Sequence, residues 1–165
     1  MQIRVAMISC AAASLGVAAE LRASFNGLGS IKIGSTVTEL EHVLGRAIPI
    51  PGDPEEAACF VVPGDARSTY SAMVAEGHVA RIDVDTPAIP TLRGARVGDT
   101  IDQVRKLYGA TLEEAPHFYG DRSDLYLTYW SKDRAFALRF ETAGGNISRF
   151  YIGRAREVQF VEGCQ

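Results

Sequence analysis

Apolar and polar positions follow the same order in two segments of the chain, residues 33–45 (IGSTVTELEHVLG) and residues 97–109 (VGDTIDQVRKLYG). The two segments align without gaps at an offset of 64 residues. In each, apolar residues recur at helical spacing and a glycine follows the last of them. Thr36 and Thr100 directly precede the helical part of each segment. Glu39 and Gln103 stand three positions after these threonines, as in a capping box. The pattern predicts two short capped helices, 37–44 and 101–108.

Segments rich in alternating, β-branched and aromatic residues follow each helix and predict antiparallel strands. The predicted strands are residues 58–62, 69–75, 78–84, 125–130, 134–141 and 146–152, with a further short strand at 157–161. Three segments carry glycine, proline and charge instead and are predicted as a lead-in or loops: 20–30, 46–57 and 110–124.

A helix followed by strands, repeated, predicts an α+β protein of two tandem units, residues 20–85 and 93–165. The segment between them contains two prolines and is predicted to be a connector. We expect one compact domain with a layered fold, in which the helices lie on one face of the sheet. The other face of the sheet would then be open.

Strand alternation sorts the side chains between these two faces. Phe136, Leu138 and Phe140 share the predicted core face, as do Ser148, Phe150 and Ile152 on the next strand. The open face would carry Arg81, Tyr126, Trp130, Arg139, Arg149 and Tyr151. Tyrosine, tryptophan and arginine are enriched in protein interfaces, so this face is a candidate binding surface. The same residue types also stabilise exposed sheets by cross-strand pairing, and both interpretations stay open.

The segment His117-Phe118-Tyr119 lies in the loop before the second group of strands. A histidine beside aromatic residues can contact a ligand or take part in acid–base chemistry, which makes His117 and Tyr119 candidate binding residues. The alternative is that the loop packs its rings on the edge of the core.

The pattern of residues 1–19 is typical of a secretory signal peptide. One arginine, Arg4, precedes a run of small apolar residues that is shorter than the roughly 20 residues of a membrane-spanning helix. Cleavage after Ala19 would leave no transmembrane anchor, and lipoprotein processing at Cys10 is the alternative. We therefore expect a periplasmic or secreted protein.

Two cysteines, Cys59 and Cys164, would remain after cleavage. In an oxidising compartment such a pair predicts a disulfide. The loop that it closes would stabilise the fold by roughly 4–5 kcal/mol in the chain-entropy model.

Net charge and the absence of known motifs argue against several classes of function. Loss of Arg4 with the signal changes the formal net charge from −3 to −4, which gives no electrostatic footprint for nucleic acid. The sequence contains no H-E-x-x-H, G-x-S-x-G, P-loop or G-x-G-x-x-G segment. We therefore expect no catalytic residue, no metal site and no cofactor.

The two repeated phrases also carry a family resemblance. Ile33-Gly34-x-Thr36…Leu40…Gly45 and its copy Val97-Gly98-x-Thr100…Val104…Gly109 resemble the entry helix of the outer-membrane assembly lipoprotein BamE (SmpA/OmlA). They are equally similar to the β-lactamase inhibitor protein, which resembles a tandem pair of such units. The chain further resembles uncharacterised secreted bacterial proteins that end in Glu-Gly-Cys, as residues 162–164 do here.

The resemblance implies a surface, on the sheet or beside it, that binds other proteins. No lipobox matches the BamE pattern, and no inhibitory loop matches residue by residue, so no binding residue carries over. The leading expectation is an exported, non-catalytic protein that binds a protein partner in the cell envelope. The alternatives are a carbohydrate- or peptidoglycan-binding module, with Tyr126, Trp130 and Tyr151 as stacking platforms, and a cell-wall enzyme.

Overall fold

A computed structural model describes residues 21–164 as an α+β fold with two antiparallel sheets and few helices. The signal peptide expected at residues 1–19 lies outside the described residues. The small sheet has three strands, β1 (Ala23–Ser24), β2 (Gly27–Leu28) and β3 (Ile31–Lys32). The large sheet has seven strands, β4 (Cys59–Pro63), β5 (Tyr70–Ala75), β6 (His78–Val84), β7 (Leu112–Pro116), β8 (Leu125–Trp130), β9 (Phe136–Ala143) and β10 (Asn146–Arg154).

The large sheet is built from two meanders that meet in its middle, in the order β4-β5-β6-β10-β9-β8-β7. At the junction β6 and β10 pair antiparallel, with Ile82 opposite Ile152 and Arg81 opposite Gly153. A Cβ atom on Gly153 would lie 2.4 Å from the carbonyl oxygen of Ala80, so only glycine permits this close approach of the two strands.

Three α-helices complete the described fold: α1 (Val37–Leu44), α2 (Pro54–Ala58) and α3 (Ile101–Tyr108). Helices α1 and α3 begin and end where the sequence pattern predicts. The Thr36 hydroxyl accepts from the backbone N–H of Glu39, whose carboxylate accepts from the Thr36 N–H, and Thr100 and Gln103 repeat both bonds. The capping-box predictions are confirmed.

Equivalent backbone hydrogen bonds in the two halves of the chain attach the segment before each helix to a strand. The Gly34 N–H donates to Val79 at 2.7 Å and Val79 donates back to Ser35 at 2.8 Å. The Gly98 N–H donates to Ile147 at 2.9 Å, and Ile147 donates to the Asp99 carbonyl at 2.8 Å. One hydrophobic core then contains Leu40 of α1 and Val104 and Tyr108 of α3, together with the apolar residues of the large sheet.

Two segments expected to be a lead-in or a loop contain regular secondary structure. Residues 23–32 form the small sheet, which is tied to the connector because Ala23 donates to Pro90 and Leu92 donates to Ala23, both at 2.9 Å. Residues 54–58 form α2, which is capped by the Asp53 carboxylate and begins with Pro54. Both elements are too short for a periodic apolar pattern to reveal them.

Three further differences lie in the second half of the chain. Residues 112–116 form β7, a short edge strand whose Glu113 and Glu114 are exposed, as is common for a protected sheet edge. Residues 157–161 were expected to be a strand, but Glu157–Gln159 is a 3₁₀ turn. In β10 the register shifts between Ile147 and Arg149, so Ile147 is buried and Ser148, expected on the core face, is exposed.

Candidate functional site

The polar face of the large sheet brings the candidate side chains together in pairs. The Arg81 guanidinium lies 4.5 Å from the centre of the Tyr151 ring, and the Arg139 guanidinium lies 5.1 Å from that of Tyr126. These pairs come from neighbouring strands, because β6 is next to β10 and β9 is next to β8. Cation–π contacts of this kind hold each ring and each cation in place.

The end of the chain crosses this face, and we call residues 155–164 the C-terminal strap. Arg81 donates through Nη1 to the carbonyl oxygens of Glu157, at 3.0 Å, and Phe160, at 3.1 Å. Val158 packs on Tyr151 in a small apolar cluster. As a result Arg81 is 6% exposed and Tyr151 is 1% exposed. The face expected to be open is therefore covered over its central strands.

Beneath the strap lies a buried ion pair. Arg81 reaches both carboxylate oxygens of Asp83, with Nε and Nη2 each at 3.0 Å. Burial raises the pKa of Asp83, and the charge of Arg81 offsets part of that rise. Burial and, secondarily, the negative charge of Glu141 raise the pKa of Tyr151 as well. These groups hold the strap to the sheet and present little surface to a partner.

The strap is fixed by the predicted disulfide, which is confirmed. Cys59 at the start of β4 and Cys164 lie 5.4 Å apart between Cα atoms and are joined by an S–S bond. The bridge ties the last described residue of the chain to the outer strand of the large sheet.

Residues 117–120, which we call the aromatic loop, form the first half of the connection between β7 and β8. The His117 ring stacks on the Tyr126 ring with 4.4 Å between centroids, and its Nε2 lies 3.4 Å from a carboxylate oxygen of Glu141. The backbone N–H of Tyr119 donates to Nδ1 of His117. With Nδ1 accepting this bond, Nε2 is the ring nitrogen that faces Glu141.

Asp124, which is buried, holds the base of this loop. Its carboxylate accepts from the backbone N–H of Asp121 and from that of Gly144, both at 2.9 Å. Its carbonyl oxygen accepts from His117, also at 2.9 Å. A Cβ atom on Gly120 would lie 2.6 Å from that of Asp124, so the loop can pack this closely only with glycine there. These contacts hold the base of the aromatic loop against the start of β8.

The aromatic loop presents two aromatic side chains to solvent. Phe118 is 70% exposed and Tyr119 is 62% exposed, and their rings meet edge to face at 4.8 Å. The Tyr119 hydroxyl donates to the Glu162 carboxylate of the C-terminal strap. The sequence pattern indicated His117 and Tyr119 as candidate binding residues but not Phe118. The signal that could have indicated Phe118 is a pair of neighbouring aromatic residues inside an otherwise polar loop.

The remaining candidates, Trp130, Arg139 and Arg149, are half-buried and engaged within the chain. Trp130 donates from Nε1 to Glu113 at 2.7 Å and carries the Arg134 guanidinium 4.5 Å from its ring centre. The hydrogen bonds from Arg134 and Trp130 lower the pKa of the Glu113 carboxyl.

The two arginines have polar partners of their own. Arg139 donates to the hydroxyl of Thr128 at 2.9 Å. Arg149 pairs with Asp85 at 2.7 Å. Both guanidinium groups are thus held in fixed positions on the sheet.

Across residues 21–164, no cluster of three or more histidine, cysteine, aspartate or glutamate side chains is arranged to hold a metal ion. None of the helices in that range is both long and apolar enough to cross a membrane.

Comparison with known proteins adds a likeness of fold. No family model and no curated protein matches the chain. The crystal structure of a DUF4309 family protein (YjgB) from Bacillus subtilis subsp. subtilis str. 168 is similar at a TM-score of 0.50 and 12% identity, over 77% of this chain and 84% of that one. This likeness concerns the fold alone.

The crystal structure of the uncharacterized protein yfeY from Escherichia coli aligns at a TM-score of 0.46 and 11% identity, over 81% of this chain and 99% of that one. That score supports no inference. Neither description names BamE or the β-lactamase inhibitor protein, so the resemblance to those families stays a prediction.

Proposed function

We propose that the chain is an exported, non-catalytic binding protein that recognises a protein of the cell envelope. The recognition surface would be the aromatic loop together with the half-buried residues Arg139 and Glu141 beside it. One observation carries this proposal: Phe118 and Tyr119 lie exposed side by side on a loop whose base is held by the hydrogen bonds of Asp124.

Exposure of this kind is unfavourable unless a partner covers it. Two large neighbouring aromatic side chains in water form an apolar patch, and aromatic residues dominate the binding energy of protein interfaces. The Asp124 hydrogen bonds and the His117–Tyr126 stacking hold the loop in one conformation before binding. A partner therefore loses less ordering entropy when it binds.

The state of the other rings favours a protein partner over a carbohydrate. Sugar recognition by stacking requires an aromatic face open to solvent, but His117 covers one face of Tyr126 and Arg134 lies over Trp130. Tyr151 is buried under the strap. The resemblance to BamE and to the β-lactamase inhibitor protein points the same way.

Export is supported by chemistry that the described residues carry. A disulfide persists in oxidising compartments and is rare in the cytosol. The Cys59–Cys164 bond thus agrees with the signal peptide proposed at residues 1–19 and with a periplasmic or secreted location.

The proposed architecture is a pair of related units, 20–85 and 93–165, with α1 and α3 on one face of the large sheet. The two capping boxes support it, as do the matched backbone bonds of Gly34 with Val79 and of Gly98 with Ile147. So does the shared core that contains Leu40 and Val104.

Site-specific photocrosslinking tests the binding function. p-Benzoyl-phenylalanine replaces Phe118, which it resembles in shape, in the mature oxidised protein. The matched control carries the same group at Ile50, which is 58% exposed and lies in a different loop. After irradiation in an extract of the bacterial cell envelope, we expect one discrete protein adduct at position 118 and none at position 50.

Competition then shows that the adduct reports specific binding. Excess unlabelled native protein should suppress the adduct, whereas excess Phe118→Ala protein should not. Identical adduct patterns at both positions, or equal competition by the two proteins, would contradict the proposal. Recovery of glycan in place of protein would favour the carbohydrate alternative.

A further inference from the structure

A cleft of about 320 Å³ opens between the small sheet, the connector and α3, on a part of the molecule that the aromatic loop does not reach. Its walls are mainly apolar and aromatic. The Phe25 and Tyr129 rings stack at 5.4 Å, and the Tyr108 ring meets Tyr129 at 4.9 Å. Leu92, at the rim, is 65% exposed. The volume lies at the lower end of the roughly 300–1,000 Å³ that is usual for small-molecule sites.

A single cation stands among the residues that line this cleft. The Arg93 guanidinium lies 4.6 Å from the centre of the Tyr129 ring and 5.0 Å from that of Tyr108. It donates once to the Leu107 carbonyl, at 3.1 Å, and once to the Tyr129 hydroxyl, at 2.8 Å. An arginine has five N–H donors, so three are left for another acceptor.

No carboxylate in residues 21–164 forms an ion pair with Arg93. The positive charge at this apolar cleft is therefore not neutralised by the described part of the chain. Asn26, which also lines the cleft, makes no side-chain hydrogen bond in that part either. A fixed cation beside an aromatic wall matches a ligand that has one anionic head and one apolar body.

We propose that this cleft binds a small monocarboxylate with a single apolar tail. The tail lies against Phe25, Tyr129 and Leu92. The carboxylate accepts from the free N–H donors of Arg93, which the two rings and the Leu107 carbonyl already hold in position. A preorganised guanidinium suits a carboxylate because the two can form parallel charge-assisted hydrogen bonds.

Titration calorimetry with decanoate and decanol, below the concentrations at which decanoate forms micelles, tests the site. Native protein should bind decanoate about tenfold more tightly than decanol, because only the acid forms charge-assisted bonds. Arg93→Gln should abolish this preference and leave decanol binding unchanged. Leu92→Ser should weaken both probes alike, since it removes apolar wall and no charge. Arg93→Lys should keep part of the preference.

Arg96→Gln is the matched control, because Arg96 is an exposed arginine of the same segment that does not line the cleft. It should bind both probes as the native protein does. Equal binding of decanoate and decanol to native protein, or no binding of either, overturns the proposal. So does an Arg93→Gln protein that is folded by circular dichroism and keeps the preference. Tighter binding of a leucine-ending peptide than of decanoate would replace the small acid with a protein terminus.

Discussion

Removal of the Cys59–Cys164 bridge tests how far the disulfide stabilises the fold. The variant is the double substitution Cys59→Ser with Cys164→Ser, which avoids leaving one free thiol. The two cysteines are 105 positions apart in sequence. For a loop of this length, the chain-entropy model gives a loss of about 4.8 kcal/mol in the free energy of unfolding. In a domain of this size that corresponds to a melting temperature lower by roughly 10–20 °C.

The loss should appear in global unfolding, because the strap keeps its other contacts. Val158 stays fully buried against the sheet, and Arg81 still donates to two strap carbonyls. The bridge therefore acts mainly on the unfolded chain, whose conformations it restricts. We expect native and variant proteins to have the same near-ultraviolet circular dichroism at low temperature.

Urea unfolding with and without dithiothreitol measures the effect. Reduced native protein should unfold at the midpoint of the double variant, and the reductant should leave the variant unchanged. The first comparison separates loss of the disulfide from any effect of the two serines, and the second is the control for other effects of the reductant. If the reduced and oxidised proteins unfold within about 1 kcal/mol of each other, the chain-entropy reasoning is wrong for this fold.

Three further predictions concern single side chains. Thr36→Ala and Thr100→Ala should each lower the free energy of unfolding by about 1 kcal/mol, and Ser at either position should restore most of it, because a hydroxyl caps the helix. Burial raises the pKa of Tyr108 to about 12, so the unfolded chain loses this proton first, and stability should fall between pH 10 and 12. Tyr108→Phe should remove roughly 2–3 kcal/mol from the loss of unfolding free energy between pH 10 and 12 in pH-dependent urea melts, and an unchanged loss would refute the assignment. Asp124→Ala should cost about 1–3 kcal/mol and speed hydrogen exchange in residues 117–121, with Asp124→Asn intermediate, whereas unchanged exchange would show that Asp124 does not hold the loop.

The sequence predicted most reliably the elements whose signals are local. A capping box, a helical apolar stripe and a terminal glycine coincide at 36–45 and at 100–109, and the bounds of α1 and α3 follow from them. Two-residue turns at Glu76–Gly77 and Gly144–Gly145 join the strands predicted at 69–75 and 78–84 and at 134–141 and 146–152, and each turn residue has a positive φ. The cysteine pair was predictable because two thiols in a chain that is expected to be exported have no simpler partner than each other.

The elements that were missed depend on tertiary contacts. The small sheet consists of two-residue strands, too short for alternation to show, and Ala23 is held by bonds to the distant residues Pro90 and Leu92. Strand β7 has an edge position and exposed charges, so it lacks the apolar period of a central strand. The strap was misread as a strand because its apolar residues contact the sheet face and do not pair with its edge.

The strap also explains why the structure favours the aromatic loop as the candidate site, whereas the sequence pattern indicated the sheet face. Alternation placed Arg81 and Tyr151 on the polar face, but it could not show that the same chain covers that face with its last ten described residues. Because Tyr119 bonds to Glu162, two residues before Cys164, the disulfide that holds the strap also restrains the aromatic loop. The surface that we propose for a partner is therefore the one that the strap supports, at Phe118 and Tyr119. If the proposed function is right, stability and recognition in this fold depend on the same C-terminal segment.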